Sequence, residues 1–106
     1  MIRIVLTKSD MRIAKIEVSG HSGYAATGSD VVCSAVSSVL WATTNGLESV
    51  LGIKLDISEG DGYVSYEIPD LDSDTKKKAD VLIESMRLFF LELKGEYSEF
   101  IEVTEV

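Results

Sequence analysis

The chain has 106 residues, enough for a single domain spanning 1–106 and too few for two. Its 45% hydrophobic content argues against intrinsic disorder, and one cysteine excludes an intrachain disulfide framework and fits either a reducing compartment or a thiol kept for its chemistry. A formal charge of −8, from 18 acidic and 10 basic residues, argues against binding a nucleic-acid backbone, which requires clustered Lys and Arg.

In chain order, residues 2–8 are rich in β-branched side chains and read as a strand rather than as the apolar core of a leader peptide. Ser9-Asp10 signals a turn. Across 12–20, Ala14, Ile16 and Val18 alternate with Lys15 and Glu17, so the two segments predict a hairpin. His21 to Gly28 has glycines, polar residues and no apolar period, and reads as a loop. A helix is expected from about Val31. Val32, Ala35, Val36, Val39 and Thr43 share one face, and Leu47, Val50 and Leu51 continue it beyond a Thr44-Asn45-Gly46 triplet expected to kink it. Gly52 is a natural stop.

Ile53, Leu55 and Ile57, then Val64, Tyr66 and Ile68, alternate with polar residues around Gly60-Asp61-Gly62 and predict a second hairpin. A second helix begins near Ser73, where Asp72, Ser73 and Asp74 suit its positive end. Ala79, Leu82, Ile83, Met86, Phe89, Phe90 and Leu93 form its core stripe, Gly95 ends it, and Tyr97 to Val106 reads as a last strand. The fold class is therefore α+β, ordered ββα-ββα-β, with two helices on one mixed, largely antiparallel sheet. A further apolar line on the second helix, Val81, Leu88 and Leu91, fits either a wide core face or a homodimer interface.

No stretch approaches the roughly 20 apolar residues that cross a bilayer, so the expectation is a cytoplasmic protein without membrane contact. The acid is unevenly placed. Leu55 to Thr75 holds seven Asp or Glu and no Lys or Arg. Such a stretch is either a solvated surface or a docking surface for a basic partner.

The only histidine and the only cysteine, His21 and Cys33, stand twelve positions apart, one at the end of a strand and one at the start of the helix after the loop. With Asp30 as N-cap, Cys33 falls in the first helical turn, where free N–H groups and the helix dipole favour a thiolate and suit an oxyanion. Ser37 and Trp41 follow at successive turns on the same face. Each has a plainer reading: a lone cysteine is commonly a small core hydrophobe, and Asp30 needs no role beyond capping. Two such ligands are too few for a structural zinc site, and neither metal nor cofactor is expected.

The run Gly20-His21, then Gly28-x-Asp30-x-Val32-Cys33-x-Ala35-x-Ser37, resembles the signature of the bacterial ribosomal-processing cysteine proteases. Length and element order are similar too, so the resemblance covers essentially the whole chain. It implies a catalytic pair at Cys33 and His21, with Asp30 and Ser37 in support, and a homodimer. The implied substrate is the short N-terminal extension of a basic large-subunit ribosomal protein, the twenty-seventh of its series, cut before a lysine-rich start. The extension is apolar and aromatic beside the cut, which makes Tyr24, Gly28 and Trp41 the candidates for substrate binding. A second reading is a non-catalytic acidic dimeric module resting on a basic protein, in which the His–Cys pair is incidental.

Overall fold

The computed structural model describes the backbone of residues 1–20 and 27–106 and the side chains of 1–20 and 31–106. Strands β1 (Ile2–Ser9) and β2 (Arg12–Ser19) form the first hairpin. Its two turn residues, Asp10 and Met11, both lie in the left-handed region at φ 52° and 65°, the geometry whose twist matches a tight antiparallel hairpin. Helix α1 (Thr27–Asn45) runs into a wider π-type turn over Gly46–Val50. The turn closes through Leu51 N–H to Gly46 O and Ile53 N–H to Leu47 O, both 2.9 Å. The interruption expected at Thr44-Asn45-Gly46 is thus present, and Gly52 at φ 71° reverses the chain. Strands β3 (Ser58–Gly60) and β4 (Tyr63–Glu67) form the second hairpin; helix α2 (Ser73–Glu96) and strand β5 (Ile101–Glu105) complete the order.

The sheet runs β3-β4-β2-β1-β5, with β5 parallel to β1 and every other pairing antiparallel, so the expected α+β architecture is correct. Because side chains alternate faces, one row of partners reads Val103, Ile4, Val18, Val64 and Glu59 across all five strands. The first three are buried, Val64 is half-buried and Glu59 is exposed. Both helices cover this face: Val32, Val36, Leu40 and Leu47 from α1, and Ala79, Ile83, Met86, Phe90 and Leu93 from α2, join the strands in one apolar cluster. The opposite face is polar, bridged by Arg3–Glu102 and Lys15–Glu17.

Three close approaches tie the elements together. A Cβ on Gly46 would lie 3.0 Å from Leu82 Cδ1, so the missing side chain is what lets the end of α1 approach α2. The Arg12 guanidinium donates to both carboxylate oxygens of Asp80, at 2.8 and 2.9 Å, linking β2 to α2. In the interior, Thr44 Oγ1 donates to Leu40 O at 2.7 Å and meets the Tyr66 hydroxyl at 2.9 Å, linking α1 to β4.

Four boundaries differ from expectation. Helix α1 begins at Thr27, not Val31, so Asp30 is its fourth residue and not its N-cap. Glycine and serine have low helix propensity, which hid this turn; packing of Val32, Val36 and Leu40 anchors the helix that follows it. Thr27 and Gly28 consequently belong to the helix rather than to the preceding loop. Ile53 and Leu55 are buried as their alternation implies, yet stand outside the ladder, which pairs only Ser58–Gly60 with β4. Residues 97–100 are a turn, held by Phe100 N–H to Tyr97 O, and the last strand starts at Ile101. Among the described residues no helix is long and apolar enough to cross a membrane.

Candidate active site

Cys33 is the seventh residue of α1 and half-buried against the core cluster. A helix leaves only its first four N–H groups without a partner inside the helix. The Cys33 N–H is therefore inside the ladder, and the N–H groups without a partner in the helix belong to Thr27–Asp30, about 4.5–9 Å nearer the helix start at 1.5 Å per residue. The expectation that Cys33 sits in the first turn is corrected accordingly, and with it the idea that it stands among the free N–H groups suited to an oxyanion. The helix dipole acts mainly within the first turn, so its pull on this thiol is weakened.

Cys33, Ser37 and Trp41 succeed one another along α1 at one-turn spacing, and all three line one cleft of about 230 Å³. Val18, Val36, Leu40 and Val64 form its apolar floor. The far wall is the β3–β4 hairpin, which contributes Glu59, Gly60, Gly62 and Tyr63. Gly20, the residue before His21, lines the cleft as well. Its N–H donates to Gly62 O at 2.9 Å, extending the β2–β4 ladder by one step. Its φ is +85°, and a Cβ there would lie 2.3 Å from Met1 O, so only glycine fits where the chain enters the His21 segment.

The structure thus brings together Cys33, Ser37 and Trp41, as their helical spacing predicts. His21 and Tyr24 lie outside the described residues. Asp30 and Gly28 are placed by backbone only, in the first turn of α1. Sequence reasoning missed the hairpin wall. Glu59 and Tyr63 stood in a segment read as a hairpin with an acidic surface, and nothing local signals that β4 pairs with β2 and swings the hairpin opposite Cys33. Glu59 is the single charged side chain among the described lining residues.

A thiol on a cleft floored by apolar groups is the arrangement a cysteine hydrolase needs, and comparison with known proteins agrees. Residues 1–102 match the family model described as cysteine protease Prp. The chain belongs to this family. The ribosomal processing cysteine protease Prp of Bacillus subtilis strain 168 is 33% identical over 108 residues, covering 98% of this chain and 96% of its own length. Among solved structures, Staphylococcus aureus Prp in complex with a substrate peptide matches with a TM-score of 0.87 at 23% identity over 100% of both chains. SMU.848 from Streptococcus mutans matches with a TM-score of 0.85 at 26% identity, over 100% of this chain and 94% of that one. At these identities the solved structures establish the shared fold, and the family model establishes the cysteine protease family.

Proposed function

We propose that the chain is a cysteine endopeptidase with Cys33 as nucleophile and His21 as its base. We further propose that it removes the N-terminal extension of the twenty-seventh large-subunit ribosomal protein, in the cytoplasm and as a homodimer. One observation carries the proposal: a cysteine protease needs a thiol, and the only cysteine of the sequence lies on a cleft with Ser37 and Trp41. The Bacillus subtilis relative is named for ribosomal processing, which supports the choice of substrate. The chain's charge of −8 favours encounter with a basic ribosomal protein.

In this mechanism the His21 imidazole takes the Cys33 proton, and the thiolate attacks the scissile carbonyl carbon. His21⁺ then gives that proton to the departing amine as the C–N bond breaks. Water, deprotonated by His21, releases the acyl group and restores the thiol. Ser37, one turn from Cys33, and Asp30 at the start of α1 support the site; Tyr24, Gly28 and Trp41 receive the apolar and aromatic residues beside the cut.

With Cys33 in the second turn, activation of the thiol falls mainly to His21. The rate of iodoacetamide labelling of Cys33, measured across pH in the wild type and in His21→Ala, tests this. Slower labelling of the variant near neutral pH is expected. Identical profiles would remove His21 from the proposed role.

A further inference from the structure

We infer that Glu59 is a specificity-determining residue that selects a Lys or Arg side chain of the bound peptide beside the apolar residue in the cleft. The inference rests on the protease reading and goes beyond it by naming the residue that reads charge.

Across the sheet, the row Val103, Ile4, Val18, Val64 is apolar up to the edge strand, where Glu59 stands opposite Val64. The same row forms part of the cleft floor, since Val18 and Val64 line it beside Cys33 and Trp41. The floor therefore ends in a carboxylate at the rim. A position that merely completed the core would continue the row with an apolar side chain. Among the described residues Glu59 makes no ion pair, although the other face of the same sheet pairs Arg3 with Glu102 and Lys15 with Glu17. No Lys or Arg is among the described residues lining the cleft. A long basic side chain lays its methylenes along an apolar wall while its charged end reaches a rim of opposite sign. The wall supplied by Val64 and the carboxylate of Glu59 suit that shape, and repel a peptide bearing Asp or Glu at the same place.

The test uses a peptide spanning the proposed ribosomal cut and copies in which each basic residue in turn becomes Gln or Glu. Wild-type protein is expected to lose about fivefold in kcat/KM, carried mainly by KM, for Lys→Glu at one position only. Glu59→Lys is expected to reverse the preference at that position and leave the other positions unchanged, with Glu59→Gln between them. Glu59 is exposed, so all three proteins should share one melting temperature. Variants that cut every peptide as the wild type does, or lose rate equally on all of them, overturn the role of Glu59 and leave the protease standing. A wild type that cuts no peptide, the parent included, overturns both readings together.

Discussion

Gly20 holds φ at +85°, with the Met1 carbonyl oxygen where a side chain would begin. It lines the cleft, bonds to the hairpin turn through Gly62 and precedes His21, so its geometry governs both the edge of the sheet and the approach to the site. Gly20→Ala is expected to destabilise the protein by about 2 kcal/mol, because left-handed strain adds to a clash with backbone that cannot rotate away. It should also lower kcat more than a distant substitution of equal thermal cost. Thermal melts and peptide cleavage together check this; a variant that melts like the wild type would contradict the account. The glycine was visible in the sequence as part of Gly20-His21, but its reason was not. Contact with Met1 follows from the register of the β1–β2 hairpin, Arg3 opposite Ser19, which the alternation of side chains alone does not give.

At the scale of elements, α1 is fixed to the sheet twice: by Val32, Val36 and Leu40 in the core, and by the Thr44–Tyr66 hydroxyl pair. Burial pushes the Tyr66 phenol above its usual value, and its bond with Thr44 partly offsets this. The folded state therefore keeps the phenol proton at pH values where the unfolded chain loses it. The contribution is complete below about pH 10 and is lost as pH rises above that value. Tyr66→Phe is expected to cost about 1 kcal/mol at neutral pH, since Thr44 retains its bond to Leu40 O. The variant should also unfold less steeply than the wild type above pH 10. Denaturant melts at pH 7 and pH 10.5 check both parts, and an unchanged alkaline slope would contradict them. Periodicity made much of these elements legible: the alternation of Ile16 and Val18 in β2 and the stripe of α2 report burial, whereas Ile13 is buried in place of Ala14 where the β1–β2 register shifts between Thr7 and Lys8. It misplaced the start of α1 by four residues, from Val31 to Thr27, because Gly28 and Ser29 look like loop residues until the anchored helix beyond them is taken into account. Ile53 and Leu55 illustrate the converse, since alternation reports burial and not whether a partner strand is present.

For the whole molecule, the second apolar line on α2 divides. Leu91 packs against the core, whereas Val81 and Leu88 stay 66% and 55% exposed in the single chain. With a homodimer proposed, these two side chains are where cover is needed. Leu88→Glu should shift sedimentation at micromolar concentration from dimer toward monomer, and a wild type that sediments as a monomer would refute the dimer. Charge acts at the same scale: with −8 on this chain and a basic substrate, cleavage of the full-length ribosomal protein should slow as salt rises from 50 to 300 mM. The α1 side of the cleft was legible from helical spacing alone, while its hairpin wall depended on sheet order. The proposed chemistry turns on Cys33, whose partial burial makes Cys33→Ala a mild change to the core, costing no more than about 1 kcal/mol. Purified wild type and Cys33→Ala, each incubated with the full-length ribosomal protein and read by mass spectrometry, give the most direct test. One new N-terminus just before the basic region with the wild type, and none with a folded Cys33→Ala, is the predicted result. The same product from both proteins would contradict it.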